Sequence, residues 1–153
     1  MSPAEALDTA DRRPRVVVVG GGFAGLAAIK ALRKAPVRIL LIDRRNYHLF
    51  QPLLYQVATA MLPPSDIAVP IRGALRKQRN ATVVMAEVTG VDPERRRVLA
   101  AVPDRDEAAL PYDYLILATG VDQSYFGHDE FAPFAPGLKS IEDAQSIRSK
   151  LLR

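Results

Sequence analysis

Cysteine is absent from all 153 residues. The chain therefore offers no disulfide framework, thiolate zinc site, iron–sulfur cluster or redox-active thiol, and its chemistry rests on oxygen and nitrogen side chains or on a bound cofactor. Long hydrophobic runs are also missing. No segment approaches the roughly 18 uninterrupted apolar residues of a membrane-spanning helix, and the longest candidate, 50–62, is broken by Gln51, Pro52 and Gln56. The opening stretch MSPAEALDTADRRP has no apolar run. It makes a poor signal peptide and predicts a disordered arm over 1–14. There is no internal repeat and no low-complexity tract.

Histidine is scarce. His48 and His128 both fall in loop-like sequence, and neither has a second histidine or a carboxylate at ligand spacing, so no metal site is expected. Asp104, Asp106 and Glu107 imitate paired carboxylates but sit in a polar hairpin connection, where they read as a solvated turn. Charge excludes little. The 21 Lys and Arg against 17 Asp and Glu give a net +4, which permits attraction to an anionic surface. The basic residues are spread in short groups (12–15, 44–45, 72–79, 95–97) that read as solvated faces, and no nucleic-acid binding is expected. With 48% apolar residues the length suffices for one domain burying roughly 68–70% of its unfolded surface.

What is present is α/β in pattern. Arg15–Val19 (RVVVV) is a β-branched run stopped by three glycines, as in a strand covered on both faces of a parallel sheet. A helix follows over 23–34, with Leu26, Ile29 and Leu32 at helical spacing and Pro36 ending it. Residues 37–42 read as a second buried strand ending at Asp43. Together they form a β-α-β unit of about 30 residues whose crossover is expected to be right-handed. Residues 46–64 form a long connection too apolar for disorder, and 67–79 carries a helix-like pattern. Two β-rich runs, 82–88 and 97–102, flank a turn at Asp92-Pro93 and are expected to pair antiparallel. Tyr114–Leu117 is a further buried strand, and Tyr112 and Tyr114 straddle it at period two, so one of them is expected in the core. Ser140 with Asp143 starts a last helix.

Gly20-Gly21-Gly22-Phe23-Ala24-Gly25 matches G-x-G-x-x-G between a predicted strand and a predicted helix, and Asp43 lies about 20 residues on at the end of the next strand. Gly20 permits the tight turn, Gly22 lets the backbone approach a pyrophosphate, and Gly25 allows close helix–strand packing. Amides and dipole at the helix N-terminus attract the phosphates. Asp43 is positioned to accept from an adenosine ribose hydroxyl; a carboxylate there repels a 2′-phosphate, an inference that Arg44 and Arg45 weaken. The fingerprint alone leaves FAD and NAD both open. A second motif, Pro111 to Gly120 (PYDYLILATG), is an apolar strand ending in Ala118-Thr119-Gly120 at the carboxyl edge of the sheet, where open α/β folds bind ligands.

A β-α-β fingerprint followed much later by a strand and A-T-G resembles the flavoproteins with two dinucleotide-binding domains, in which the first fingerprint holds FAD and a small antiparallel meander lies between the motifs. Three longer stretches narrow this. Asp43 to Ala60 (DRRNYHLFQPLLYQVATA), Ser124 to Gly127 (SYFG) and Ala135 to Ala144 (APGLKSIEDA) are similar to the type II, non-proton-pumping NADH dehydrogenases, single-subunit FAD enzymes that reduce quinone. The resemblance implies an α/β, Rossmann-like FAD/NAD(P)-binding three-layer fold with a parallel sheet and a small antiparallel β meander, here incomplete. It implies that Gly20, Gly22, Phe23, Ala24 and Gly25 cradle the FAD pyrophosphate, with Asp43 and the adjacent Arg44 at the ribose. Val88 is expected by the adenine through its backbone, Ala118, Thr119 and Gly120 along the cofactor, and Gln51 near the flavin ring.

The reaction implied is hydride transfer from NADH to flavin and then electron transfer to a quinone. That chemistry belongs to the cofactor, so no catalytic side chain is expected. Flavoprotein disulfide reductases share the fold but work through a cysteine pair, and that branch is excluded. Members of the resembled family are longer, with a second fingerprint for NADH and a C-terminal membrane-docking region. Residues 15–153 are therefore expected to be the N-terminal portion of an FAD domain, inactive alone. In the full-length family the protein would be cytoplasmic and peripheral on the inner face of the cell membrane, and a homodimer is compatible with it. A single-domain NAD-dependent dehydrogenase and a non-catalytic nucleotide-binding remnant are the rival expectations.

Overall fold

The computed structural model describes residues 11–102 and 107–153. Most of the expected N-terminal arm, and Asp104 and Asp106 of the expected turn, lie outside them. From Asp11 the chain is tied down: the Arg13 guanidinium binds the Asp11 carboxylate (2.6 Å), and the Arg38 amide donates to the Pro14 carbonyl (2.9 Å). The chain divides into two compact units, one built from residues up to 48 together with 70–120, the other from 49–69 with 121–153.

The first unit holds the β-α-β start. Strand β1 (Arg15–Val19) is buried at every position, as its unbroken β-branched run requires in a strand covered on both faces. Helix α1 (Phe23–Ala31) ends in a single 3-10 turn before Pro36, and strand β2 (Arg38–Asp43) returns beside β1. With β5 (Ala81–Met85) and β9 (Tyr114–Leu117) these strands make a parallel sheet in the order β5-β2-β1-β9. Alternation along β1 and β2 sends two sets of side chains to opposite sides. Val16, Val18, Ile39 and Leu41 pack on Leu26 and Ile29 of α1 and on Ile71 and Leu75, while Val17, Val19, Leu40 and Ile42 pack on Ala86, Val98, Ala100 and Leu110. The latter belong to or adjoin an antiparallel meander of β6 (Glu87–Asp92), β7 (Arg97–Ala101) and β8 (Ala108–Pro111). Helices, parallel sheet and meander form the three expected layers. Tyr112 packs into the meander side and Tyr114 is 62% exposed.

Three expected elements need correction. The run at 82–88 is not one strand: β5 stops at Met85, the Ala86 amide bonds the Asp43 carbonyl (3.0 Å), and β6 begins at Glu87 in the other sheet. Apolar periodicity persists through this point while the hydrogen-bonding partner changes, so the pattern conceals the break. The helix expected at 67–79 shrinks to α3 (Ile71–Leu75), preceded by the short strand β4 (Ala68–Pro70). Pro70 has no N–H to continue a helix and disfavours helical backbone at Val69. Beyond Leu75 the buried Gln78 amide donates to the Ile29 carbonyl (2.7 Å) and the Asn80 amide to the Leu32 carbonyl (3.1 Å), which ties this turn to the end of α1. The connection at 46–64 is also more ordered than expected, with β3 (Tyr47–Leu49), a 3-10 turn (Gln51–Leu53) and helix α2 (Leu54–Ala58).

In the second unit α2 packs on α4 (Ile141–Leu151), with Leu54, Val57, Ile67 and Ala144 buried among them. The expected start of α4 is a capping box. Ser140 Oγ accepts from the Asp143 amide (3.1 Å), and the Asp143 carboxylate accepts from the Ser140 amide (2.8 Å).

Leu41 is fully buried between β2 and α1. Leu41→Ala is expected to lower unfolding stability by about 2–5 kcal/mol through lost burial and the cavity left behind, measurable as a fall in the urea midpoint at unchanged slope.

Candidate functional site

The candidate site is the turn between β1 and α1, and close backbone contacts account for two of its four glycines, Gly20 and Gly25. Gly20 has φ +101°, a left-handed conformation that side chains resist, and a Cβ there would collide with the Ala118 carbonyl at the end of β9. A Cβ on Gly25 would overlap the Gly20 carbonyl itself, so α1 can lie this near β1 only with glycine at that position. Gly21 is closed in by Ile71, whose Cδ1 would be 2.5 Å from a Cβ, and by Asp43 Oδ2 at 3.2 Å. Gly22 differs. Its φ of −74° is ordinary, and a Cβ would meet nothing within 4 Å. Neither φ nor steric contact requires glycine there, where glycine serves as the N-cap residue of α1 and leaves open space beside the backbone.

Hydrogen bonds hold the turn. The Gly20 amide donates to the Ile42 carbonyl (2.8 Å), and the Ala118 amide to the Val19 carbonyl (2.8 Å), so three parallel strand ends converge. The Asp43 carboxylate accepts from the Gly21 amide through Oδ2 (2.5 Å) and from the Arg45 amide through Oδ1 (2.6 Å). Each oxygen has a further lone pair to offer a hydroxyl. No side chain caps α1 at its N-cap residue Gly22, and no acidic residue lies in its first turn. The positive end of the helix dipole thus meets an incoming anion without a carboxylate of that turn competing for it. Phe23 and Ala24 of that turn are exposed.

Gly20, Gly22, Phe23, Ala24, Gly25, Asp43, Ala118, Thr119 and Gly120 are brought together at the carboxyl end of the sheet. Gly120 has φ +76°, which favours glycine where the chain leaves β9. Val88 lies on β6, two residues past Ala86, whose amide bonds Asp43. Arg44 is exposed next to Asp43, and Arg45 lies with its guanidinium 5.9 Å from the centre of the Tyr47 ring. Gln51 is exposed in the second unit.

His48 was not anticipated. Its Nδ1 lies 3.1 Å from the Gly21 carbonyl, and its ring meets Phe23 edge-on at 4.8 Å between centroids. Local pattern carries no signal for this, because the contact joins β3 to a turn 27 residues away. His128 pairs with Glu130 in an exposed loop (3.0 Å), and among the described residues no cluster of three histidine or acidic side chains is placed to hold a metal. Nor, among the described residues, is any helix long and apolar enough to cross a membrane.

A β-α-β turn of this geometry, with an acidic residue at the second strand's end, defines a fold of the Rossmann, dinucleotide-binding type. The model for the pyridine nucleotide-disulphide oxidoreductases matches residues 14–153, and the chain belongs to that family. It is 51% identical to each of two type II NADH:quinone oxidoreductases of Mycobacterium tuberculosis, NdhA and Ndh, over 92% of its own length and 30% of theirs. An external alternative NADH-ubiquinone oxidoreductase from Yarrowia lipolytica mitochondria is 32% identical over 99% of this chain and 27% of its own. The chain thus spans about a third or less of the relatives it matches. Among solved structures, NDH2 from Plasmodium falciparum in complex with NADH superposes with a TM-score of 0.83 at 27% identity, covering 92% of this chain and 29% of that one. The sulfide:quinone oxidoreductase of Aquifex aeolicus gives a TM-score of 0.75 at 29% identity, over 91% of this chain and 32% of its own.

Gly25→Ala is expected to cost about 1–3 kcal/mol or more by overpacking, whereas Gly22→Ala, with open space around it, should cost less than about 1 kcal/mol. Thermal unfolding of the two variants side by side checks the contrast.

Proposed function

We propose that this chain is the FAD-holding part of a type II NADH:quinone oxidoreductase that works peripherally at a membrane surface. The observation that carries the proposal is Gly22, a glycine its own fold does not need, at the uncapped N-terminus of α1 and between Asp43 and the Ala118-Thr119-Gly120 edge. The 51% identity to two named NADH:quinone oxidoreductases supports the choice of reaction.

In this proposal the amides about Gly22, Phe23 and Ala24 bind the pyrophosphate, aided by the helix dipole. Asp43 accepts from the adenosine ribose, Val88 lies by the adenine, and Ala118 to Gly120 border the cofactor; Arg44 adds positive charge beside the ribose. Gln51 is assigned to the neighbourhood of the flavin ring. When bound, FAD supplies an acceptor for two electrons from NADH and passes them to quinone. The chain's part is to bind, orient and shield, and no side chain is assigned to proton transfer.

The test is a chimera in which residues 15–153 replace the matched stretch of the M. tuberculosis enzyme NdhA. It is expected to purify with a flavin absorbance spectrum released by heat and to oxidise NADH with a soluble quinone. Gly22→Ala in the chimera should lower flavin content at least about tenfold with little change in melting temperature, and Asp43→Ala should weaken flavin retention by about 1–3 kcal/mol. A folded chimera devoid of flavin, beside a parent that retains it, overturns the proposal.

A further inference from the structure

Gly21 is held by residues from three different elements. Its N–H is taken by Asp43 at the end of β2 (2.5 Å), its carbonyl faces His48 Nδ1 from β3 (3.1 Å), and Ile71 of α3 closes over its Cα. A carbonyl oxygen only accepts, so His48 must donate and the proton sits on Nδ1. The ring is held in that orientation by its edge-on contact with Phe23 (4.8 Å, 87°), the first residue of α1.

We infer that His48 is a positioning residue for the phosphate-binding turn: by donating from Nδ1 to the Gly21 carbonyl it fixes the peptide plane that aims the following amides of Gly22, Phe23 and Ala24 at a dinucleotide pyrophosphate. A run of three glycines has more backbone freedom to lose than any other tripeptide, and that loss must be met either by the protein in advance or by the ligand on binding. Asp43 anchors the peptide unit that precedes Gly21, but rotation about the φ and ψ bonds of Gly21 still tilts its carbonyl. The imidazole removes that freedom. His48 touches no reacting atom in this assignment, and its effect on the cofactor passes through the turn.

The inference rests on the FAD assignment for its ligand but not for its first readout. Nitrogen-15 NMR of the 153-residue chain without flavin, at pH 8, is expected to show His48 as the tautomer protonated at Nδ1. Carbon-13 relaxation at the Cα atoms of Gly22 to Ala24 should show the order parameter falling from about 0.85, a rigid backbone, to below about 0.6 in His48→Ala. The conservative variants then separate the hydrogen bond from mere bulk. The Asn side-chain amide can reach the place of Nδ1, so His48→Asn should restore the rigid value, whereas the Gln amide extends towards the place of Nε2 and His48→Gln should not. A proton on Nε2 alone, or order parameters unchanged in His48→Ala, overturns the inference. A His48→Ala chain that fails to fold leaves the tautomer of the parent and the Asn-against-Gln contrast to decide it.

The second readout is flavin retention in the NdhA chimera, expected to fall about tenfold in His48→Ala and His48→Gln and to recover in His48→Asn. Flavin absent from the unsubstituted chimera refutes the FAD assignment while the tautomer and relaxation data still judge His48. Flavin present and equal in all four proteins refutes the role of His48 in binding and leaves the FAD assignment standing.

Discussion

One steric constraint organises the first unit: α1 and β9 both press their backbone against the turn at Gly20, closer than any side chain allows. Gly25 lies on the Gly20 carbonyl, and Gly20 lies on the Ala118 carbonyl. Because these contacts are backbone to backbone, they set the distance of α1 from the sheet and align the ends of β1 and β9. The hydrophobic layers on either side then fill the space so defined, with Leu26 and Ile29 against Val16 and Val18 on one side and Val98 and Leu110 against Val17 and Val19 on the other. An alanine at either glycine would displace backbone, which cannot give way as a flexible side chain would.

The same contacts divide the glycines into two kinds. Gly20, Gly21 and Gly25 are explained by the protein's own atoms, and Gly22 is not. A sequence match to G-x-G-x-x-G cannot make this distinction, since a tight turn and a ligand cradle are spelled alike. Space around each Cβ position adds what the pattern lacks, for it sets Gly22, with open room beside its backbone, apart from the three glycines that the protein's own atoms crowd.

Much of the fold was legible because its signals are local and strong. The β-branched run of β1, the glycines after it, the helical spacing of Leu26 and Ile29, Asp43 at the end of β2 and the Ser140–Asp143 box each declare an element within a few residues. The placing of Gly20 to Gly25, Asp43 and Ala118 to Gly120 at one end of the sheet, the candidate site, was legible for the same reason. What was hidden depends on partners distant in sequence. The division of 82–88 between two sheets turns on whether a backbone amide bonds Asp43 or the meander, and apolar alternation is blind to that choice. The shortening of the helix at 67–79 is only half local: Pro70 explains its late start, while its early end follows from Gln78 and Asn80 reaching the carbonyls of α1. His48 and Ile71 at the glycine turn belong to the same class, each brought there by tertiary structure.

Strand β1 is apolar on both faces, so a slip by one residue would exchange valine for valine and leave both hydrophobic layers nearly as well filled. The usual guard on strand alignment, a buried face that must stay buried, is therefore weak here. Polar anchors at the two ends supply it. At one end the Arg15 amide donates to the Asp113 carboxylate (2.6 Å) and the Asp113 amide to the Arg15 carbonyl (2.9 Å); at the other the Gly20 amide holds Ile42 and the Val19 carbonyl holds Ala118. The turn proposed to face the nucleotide is thus also the clasp that keeps the central strand in register.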